Sequence, residues 1–126
     1  MYVCTPTSSQ GKYVNLFEEK FAEFTDSKNT CAVSNGTVAL HLALIALGVK
    51  PGDEVVVPNL TFAAPVNAVI YAGATPIMVD VNKDTMAMDV DNLRRVITKK
   101  TTTIIPVHLY GHPAPMREIM DIARSN

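Results

Sequence analysis

The sequence predicts an α/β fold built on a mainly parallel sheet with helices on both faces. Three observations carry this. Short apolar or β-branched runs at 30–33, 54–58, 75–79 and 101–107 alternate with Ala- and Leu-rich stretches of helical length. Runs such as Glu54-Val55-Val56-Val57 are close to continuously apolar, the pattern of strands buried on two sides. Glycine and proline stand at the junctions, as Gly48, Pro51-Gly52 and Gly73.

Residues 1–14 read as an N-terminal arm without periodicity, and 15–126 as the folded part. Asn15 is a candidate cap for a helix over 16–24, with Glu18 at the third helical position as in a capping box. Phe17, Phe21 and Phe24 fall on one stripe, read as core packing. A strand at 30–33 leads into the turn triplet Ser34-Asn35-Gly36. The run 38–47 is too long for one strand and apolar on nearly every side, so it predicts a buried helix ended by Gly48. After the 50–53 turn comes the strand 54–58, then the loop Asn59-Leu60-Thr61. A second helix is expected over 62–72, with Pro65 tolerated in its first turn. The strand 75–79 ends in Asp80. Asp89 can cap a helix over 90–97. The strand 101–107 is followed by His108-Leu109-Tyr110-Gly111-His112-Pro113. Pro115 can open a last helix over 116–124, with Met116, Ile119, Met120 and Ala123 on one stripe.

With 126 residues, of which 48% are hydrophobic, the chain can bury a core of single-domain size. Its net charge of −1 gives no electrostatic case for nucleic acid or an anionic membrane. Cys4 and Cys31 are too few for a disulfide framework and match no metal spacing; three scattered histidines, His41, His108 and His112, add none. His41, in an apolar helix, reads as a satisfied core residue and His112 as loop surface. No signal peptide is visible and no apolar run is long enough to span a bilayer, so a cytoplasmic setting is the default.

In open parallel sheets ligands bind beyond the C-terminal strand ends. Here those ends carry Ser34-Asn35-Gly36-Thr37, Asn59-Leu60-Thr61-Phe62, Asp80 and His108-Leu109-Tyr110. A glycine turn opening a helix directs backbone N–H groups and the positive helix end at one point, a place for phosphate. The same residues can equally be a helix cap and a chain reversal. The turn is not a P-loop, because no Gly-Lys-Ser/Thr follows.

The blocks SNGTVALHLAL, PGDEVVVPNLTFAAPVNAVIYAGATPIMVDV and IIPVHLYGHPAPM, preceded by SSQGKYVNLFEEKFAEF, resemble the DegT/DnrJ/StrS family of sugar aminotransferases. The resemblance runs from about Ser8 to Asn126. It implies the start of the large domain of fold-type I pyridoxal-phosphate enzymes, and transfer of an amino group from glutamate to a nucleotide-linked keto sugar in amino-sugar biosynthesis. By position, Gly36, Thr37 and Val38 match the family's grip on the phosphate of pyridoxal 5'-phosphate. Phe62 matches the aromatic that stacks on its ring, with a core phenylalanine as the alternative. His108 and Tyr110 lie in a segment near the family's active site, without an assigned role, and a packed or hydrogen-bonded structural residue is an equal alternative for each. A homodimer is implied for the full-length form.

The family's Schiff-base lysine and the acid facing the ring nitrogen have no match among these residues. Lys12, Lys20, Lys28, Lys50, Lys83, Lys99 and Lys100 fall elsewhere, and Asp80 matches a position unrelated to the ring acid. The small C-terminal domain is also without a counterpart. The expectation is a truncated form of the large domain, with no catalytic residue of its own, inactive and poorly soluble alone. Two alternatives stand beside it: a non-catalytic remnant that binds a phosphate compound or pairs with a full-length relative, and a sugar dehydratase of the same family.

Overall fold

The computed structural model describes residues 11–126; the expected arm lies largely outside them. The chain divides after Ser34 into two compact units.

In the first unit, α1 spans Lys12–Thr25. It begins a turn earlier than its candidate cap, so Asn15 lies inside the helix. Gly11 precedes it without a side-chain cap, and the Val14 N–H donates to the Gly11 carbonyl at 2.8 Å. Glu18 forms no capping box. Its carboxylate accepts the Ala32 N–H at 2.7 Å, and its carbonyl accepts the Thr30 hydroxyl at 2.6 Å. The segment 30–33 is therefore held by α1 through these bonds, and the expected strand there is not formed, because no neighbouring strand pairs with it among the described residues. The phenylalanine stripe is a correction too. Phe17 and Phe21 stack at 5.6 Å and Phe21 meets Phe24 at 6.5 Å, but α1 buries no residue. Among the described residues this unit has no second helix or strand to lay over that face.

The second unit is a three-layer sandwich. Its elements are α2 (Gly36–Ala46), β1 (Glu54–Pro58), α3 (Ala64–Tyr71), β2 (Thr75–Val79), α4 (Val90–Val96), β3 (Thr101–Ile104) and α5 (Met116–Ser125). The sheet order is β2-β1-β3, and both pairings are parallel. β1 and β2 align residue for residue, from Glu54 opposite Thr75 to Pro58 opposite Val79. Against β3 the register slips between Glu54 and Val55, which face Thr101 and Thr103. β3 is shorter than expected because Pro106 has no N–H for the ladder, although the Ile105 N–H still donates to the Val56 carbonyl at 2.9 Å.

Strand alternation sorts the core into two halves. Val55 and Val57 join Leu44 of α2 and Ala68 and Val69 of α3 on one face. Val56 and Val79 join Leu93 of α4 and Ile119 and Ile122 of α5 on the other. β1, covered on both sides, has no exposure at any of its three valines, as its uninterrupted apolar run required.

Three helix expectations shift. α2 is apolar around its circumference, yet only Leu44 is buried; Val38, Ile45 and Leu47 face outward, since α3 and the sheet cover one side alone. His41 is correspondingly half-buried, edge-on to the Tyr71 ring at 5.9 Å, rather than enclosed in the core. α5 packs through Met116, Ile119 and Ile122, while Met120 and Ala123 are exposed. α3 starts at Ala64, with Pro65 buried in its first turn, which leaves Phe62 in the preceding loop. Among the described residues no helix is long and apolar enough to cross a membrane.

Both α2 and α3 end in Schellman turns. Gly48 (φ 81°) donates to Ile45, and Val49 to Leu44; Gly73 (φ 75°) donates to Ile70, and Ala74 to Val69. These closures turn the chain sharply, so each helix packs back along the strand that follows it.

Candidate functional site

The sheet order creates a switch point. The chain leaves β1 for β2 on one side, then returns across to β3 on the other, and in open sheets ligands bind at such a switch point, here the C-terminal ends of β1 and β3. The loop after β1 carries Phe62, and the segment after β3 carries His108 and Tyr110. A short connection joins α2 to the start of β1, and α2 lies on the sheet through Leu40 and Leu44. It therefore runs antiparallel to β1, and its N-terminus returns to the edge that holds Phe62. This topology sets the start of α2 at the same end of the sheet as the loops that follow β1 and β3.

At the first turn of α2, the Asn35 side chain accepts the Val38 N–H at 3.0 Å. This changes one expectation: Val38 gives its amide to the cap, so the N–H groups left facing outward are those of Gly36 and Thr37. The capping reading and the anion reading hold together, since the first turn of a helix has more N–H groups than one side chain can satisfy. Gly36 has no positive φ, and a Cβ added to it would meet nothing within 4 Å. Neither backbone angle nor internal packing calls for glycine there. What a Cβ would fill is the space outside the helix terminus.

Phe62 is 79% exposed, which removes the core alternative and presents its ring to whatever occupies the rim. Tyr110 is 100% exposed and sits at φ 52°, a left-handed conformation that costs a tyrosine roughly 1–2 kcal/mol. Gly111 follows at φ 84°, and together they reverse the chain after β3. His108 closes that reversal: its Nδ1 accepts the Ala114 N–H at 2.9 Å.

Asn59 and Asp80, read from the sequence as the residues at two strand ends, are joined to each other. Asn59 Nδ2 donates to Asp80 Oδ1 at 2.6 Å, and the Asn59 N–H donates to the Val79 carbonyl at 2.8 Å. The Asp80 N–H donates to Asn92 Oδ1 at 3.1 Å, tying the loop to α4. The signal for this was in the equal lengths of the two strands. In-register pairing through Pro58 and Val79 brings the next residue of each together.

A cleft of about 350 Å³ lies elsewhere, between the 82–91 segment and 112–115, lined by Asn82, Met88, Asp89, His112 and Pro115 among others. None of Gly36, Thr37, Phe62, His108 or Tyr110 lines it.

The profile of the DegT/DnrJ/EryC1/StrS aminotransferase family matches residues 5–126. The GDP-perosamine synthase of Escherichia coli O157:H7 is 54% identical over 118 residues, 94% of this chain and 32% of the relative. That of Caulobacter vibrioides is 48% identical over 117 residues, 93% of this chain and 32% of the relative. The chain thus spans about a third of the length of these relatives. The solved pyridoxal-phosphate form of Spr1654 from Streptococcus pneumoniae, described as a putative sugar aminotransferase, superposes with a TM-score of 0.87 at 35% identity, over 97% of this chain and 31% of that one.

Proposed function

The chain belongs to the DegT/DnrJ/EryC1/StrS aminotransferase family, and from that premise we propose that its β1/β3 rim is part of a pyridoxal-phosphate cradle serving amino transfer to a nucleotide-linked keto sugar. The names of the two relatives favour a GDP-linked sugar as acceptor. Glutamate as donor, pairing into a homodimer and a cytoplasmic setting belong to the same proposal, as does the reading of 15–126 as part of the large cofactor-binding domain.

The observation that carries the reading is the open first turn of α2. The N–H groups of Gly36 and Thr37, the Thr37 hydroxyl and the helix dipole together suit a dianionic phosphate. Asn35 contributes indirectly, by holding the turn through Val38. Phe62 offers a ring face for the pyridine, an offset stack worth about 0.5–1.5 kcal/mol beyond buried area. Bound there, the cofactor supplies an electron sink for moving the amino group. The residues of this chain bind and orient it.

The test is equilibrium titration of the chain with pyridoxal phosphate, followed by absorbance and by quenching of tyrosine fluorescence. Saturable binding weakened about tenfold by Thr37→Ala, and separately by Phe62→Ala, supports the cradle. Binding that neither substitution changes places the cofactor elsewhere and refutes it.

A further inference from the structure

The side chain in this rim whose chemistry the reading above leaves unassigned is His108, and its surroundings constrain it strongly. Ala114 is buried between Pro113 and Pro115. A buried backbone N–H needs an acceptor, and a flanking proline has no N–H with which to join a regular hydrogen-bonded ladder. The left-handed pair Tyr110 and Gly111 brings the chain round, with the Gly111 N–H donating to the His108 carbonyl at 3.0 Å and the His112 N–H to the Leu109 carbonyl at 3.0 Å. The Ala114 N–H then reaches the imidazole Nδ1 at 2.9 Å. A ring nitrogen that accepts carries no proton. A ring that accepts at Nδ1 is the neutral tautomer with its proton on Nε2. The two ring nitrogens point in divergent directions, so Nε2–H faces away from Ala114, and no bond from it is formed among the described residues.

We propose that His108 is a tautomer-fixed hydrogen-bond donor of the β1/β3 crevice: Ala114 holds Nδ1, and Nε2–H is given to an oxygen acceptor of the ring compound that stacks on Phe62. In this state Nε2 donates and cannot remove a proton, so His108 is a binding and orienting residue and not a general base. Three placements support it. His108 follows the strand that borders the switch point, Phe62 follows the strand beside it, and the turn closed by Ala114 fixes where the imidazole can go. The assignment rests on the cofactor-cradle reading for the identity of the acceptor, and on the Ala114 bond for the tautomer.

Two substitutions separate the two ring nitrogens. His108→Asn puts an amide oxygen near the Nδ1 position and has nothing at Nε2, so it keeps the Ala114 clasp and loses the donor. His108→Gln extends an amide to the Nε2 position and loses the clasp. The experiment combines ring ¹⁵N spectra of the full chain, deuterium exchange of the Ala114 amide and titration with pyridoxal phosphate. Expected are an unprotonated Nδ1 and protonated Nε2 on His108, Ala114 protection kept in His108→Asn and lost in His108→Gln, and affinity about tenfold weaker in His108→Asn. A proton on Nδ1 overturns the proposal. So does His108→Asn binding as tightly as the unaltered chain with Ala114 still protected, which would leave His108 a purely structural clasp while the cradle reading stands. If the unaltered chain binds no pyridoxal phosphate, the cradle reading fails and the donor role fails with it.

Discussion

The amide of Asn59 donates to the carboxylate of Asp80 at 2.6 Å, across the ends of two strands aligned residue for residue. Parallel strands leave their C-terminal ends side by side with their loops diverging, and this bond holds the two exits together. The exit from β1 is the one that carries Phe62. A surface hydrogen bond thereby acts on the placement of an aromatic ring that lies only three residues further on.

Asn59→Ala and Asp80→Ala should each destabilise the fold by about 1 kcal/mol, since the bond is exposed but one partner is charged. A double-mutant cycle in denaturant should give a coupling of roughly 0.5–1 kcal/mol between them. Independent, fully additive effects would show that the contact contributes nothing.

Two glycines should respond oppositely to alanine. At Gly73 a Cβ would stand 3.0 Å from Pro51 Cγ, at φ 75°, so Gly73→Ala should cost at least about 1–2 kcal/mol and lower the melting temperature. At Gly36 the added Cβ meets nothing and φ is ordinary, so Gly36→Ala should leave stability unchanged or raise it by up to about 1 kcal/mol. The same change should weaken pyridoxal-phosphate binding by filling the approach to the helix terminus. Parallel melting curves and titrations read both halves, and a Gly36→Ala chain that is less stable would mean the glycine serves the fold.

Asn35 offers a sharper separation of capping from ligand binding. Asn35→Ala removes the acceptor of the Val38 N–H and should cost about 1 kcal/mol. Asn35→Asp keeps that acceptor and adds a negative charge beside the proposed phosphate position. Its stability should match the unaltered chain while its affinity for a phosphate compound falls. Equal loss of stability in both variants, measured by urea unfolding, would contradict the cap.

The extent of what was legible follows from how local each signal is. β1 and β2 sit at their expected residues because each is a short, mostly apolar run fenced locally, Val55–Val57 between Gly52 and Pro58 and Thr75–Val79 between Gly73 and Asp80. Asp89 caps α4 as expected, accepting the Asn92 N–H at 2.7 Å. The 30–33 run had strand composition, but a strand exists only with a neighbour, and Glu18 took its polar groups instead. The phenylalanine stripe of α1 was a correct reading of periodicity, but it could not say whether anything lies against it.

For the candidate site, the sequence alone set Gly36 and Thr37 at a helix start and Phe62, His108 and Tyr110 in stretches that follow two strands, while their site roles came from the family resemblance. Those positions are set by turn chemistry and apolar patterning, which act over a few residues. Tertiary structure alone decided three further matters. The β2-β1-β3 order set the segments carrying Phe62 and His108 after neighbouring strands, the exposure of Phe62 separated a presented ring from a core ring, and turn closure brought the Ala114 N–H to His108 Nδ1. Each depends on which distant or reversed segments become neighbours, and that is fixed by the pairing of strands and the closure of turns rather than by the composition of any one stretch.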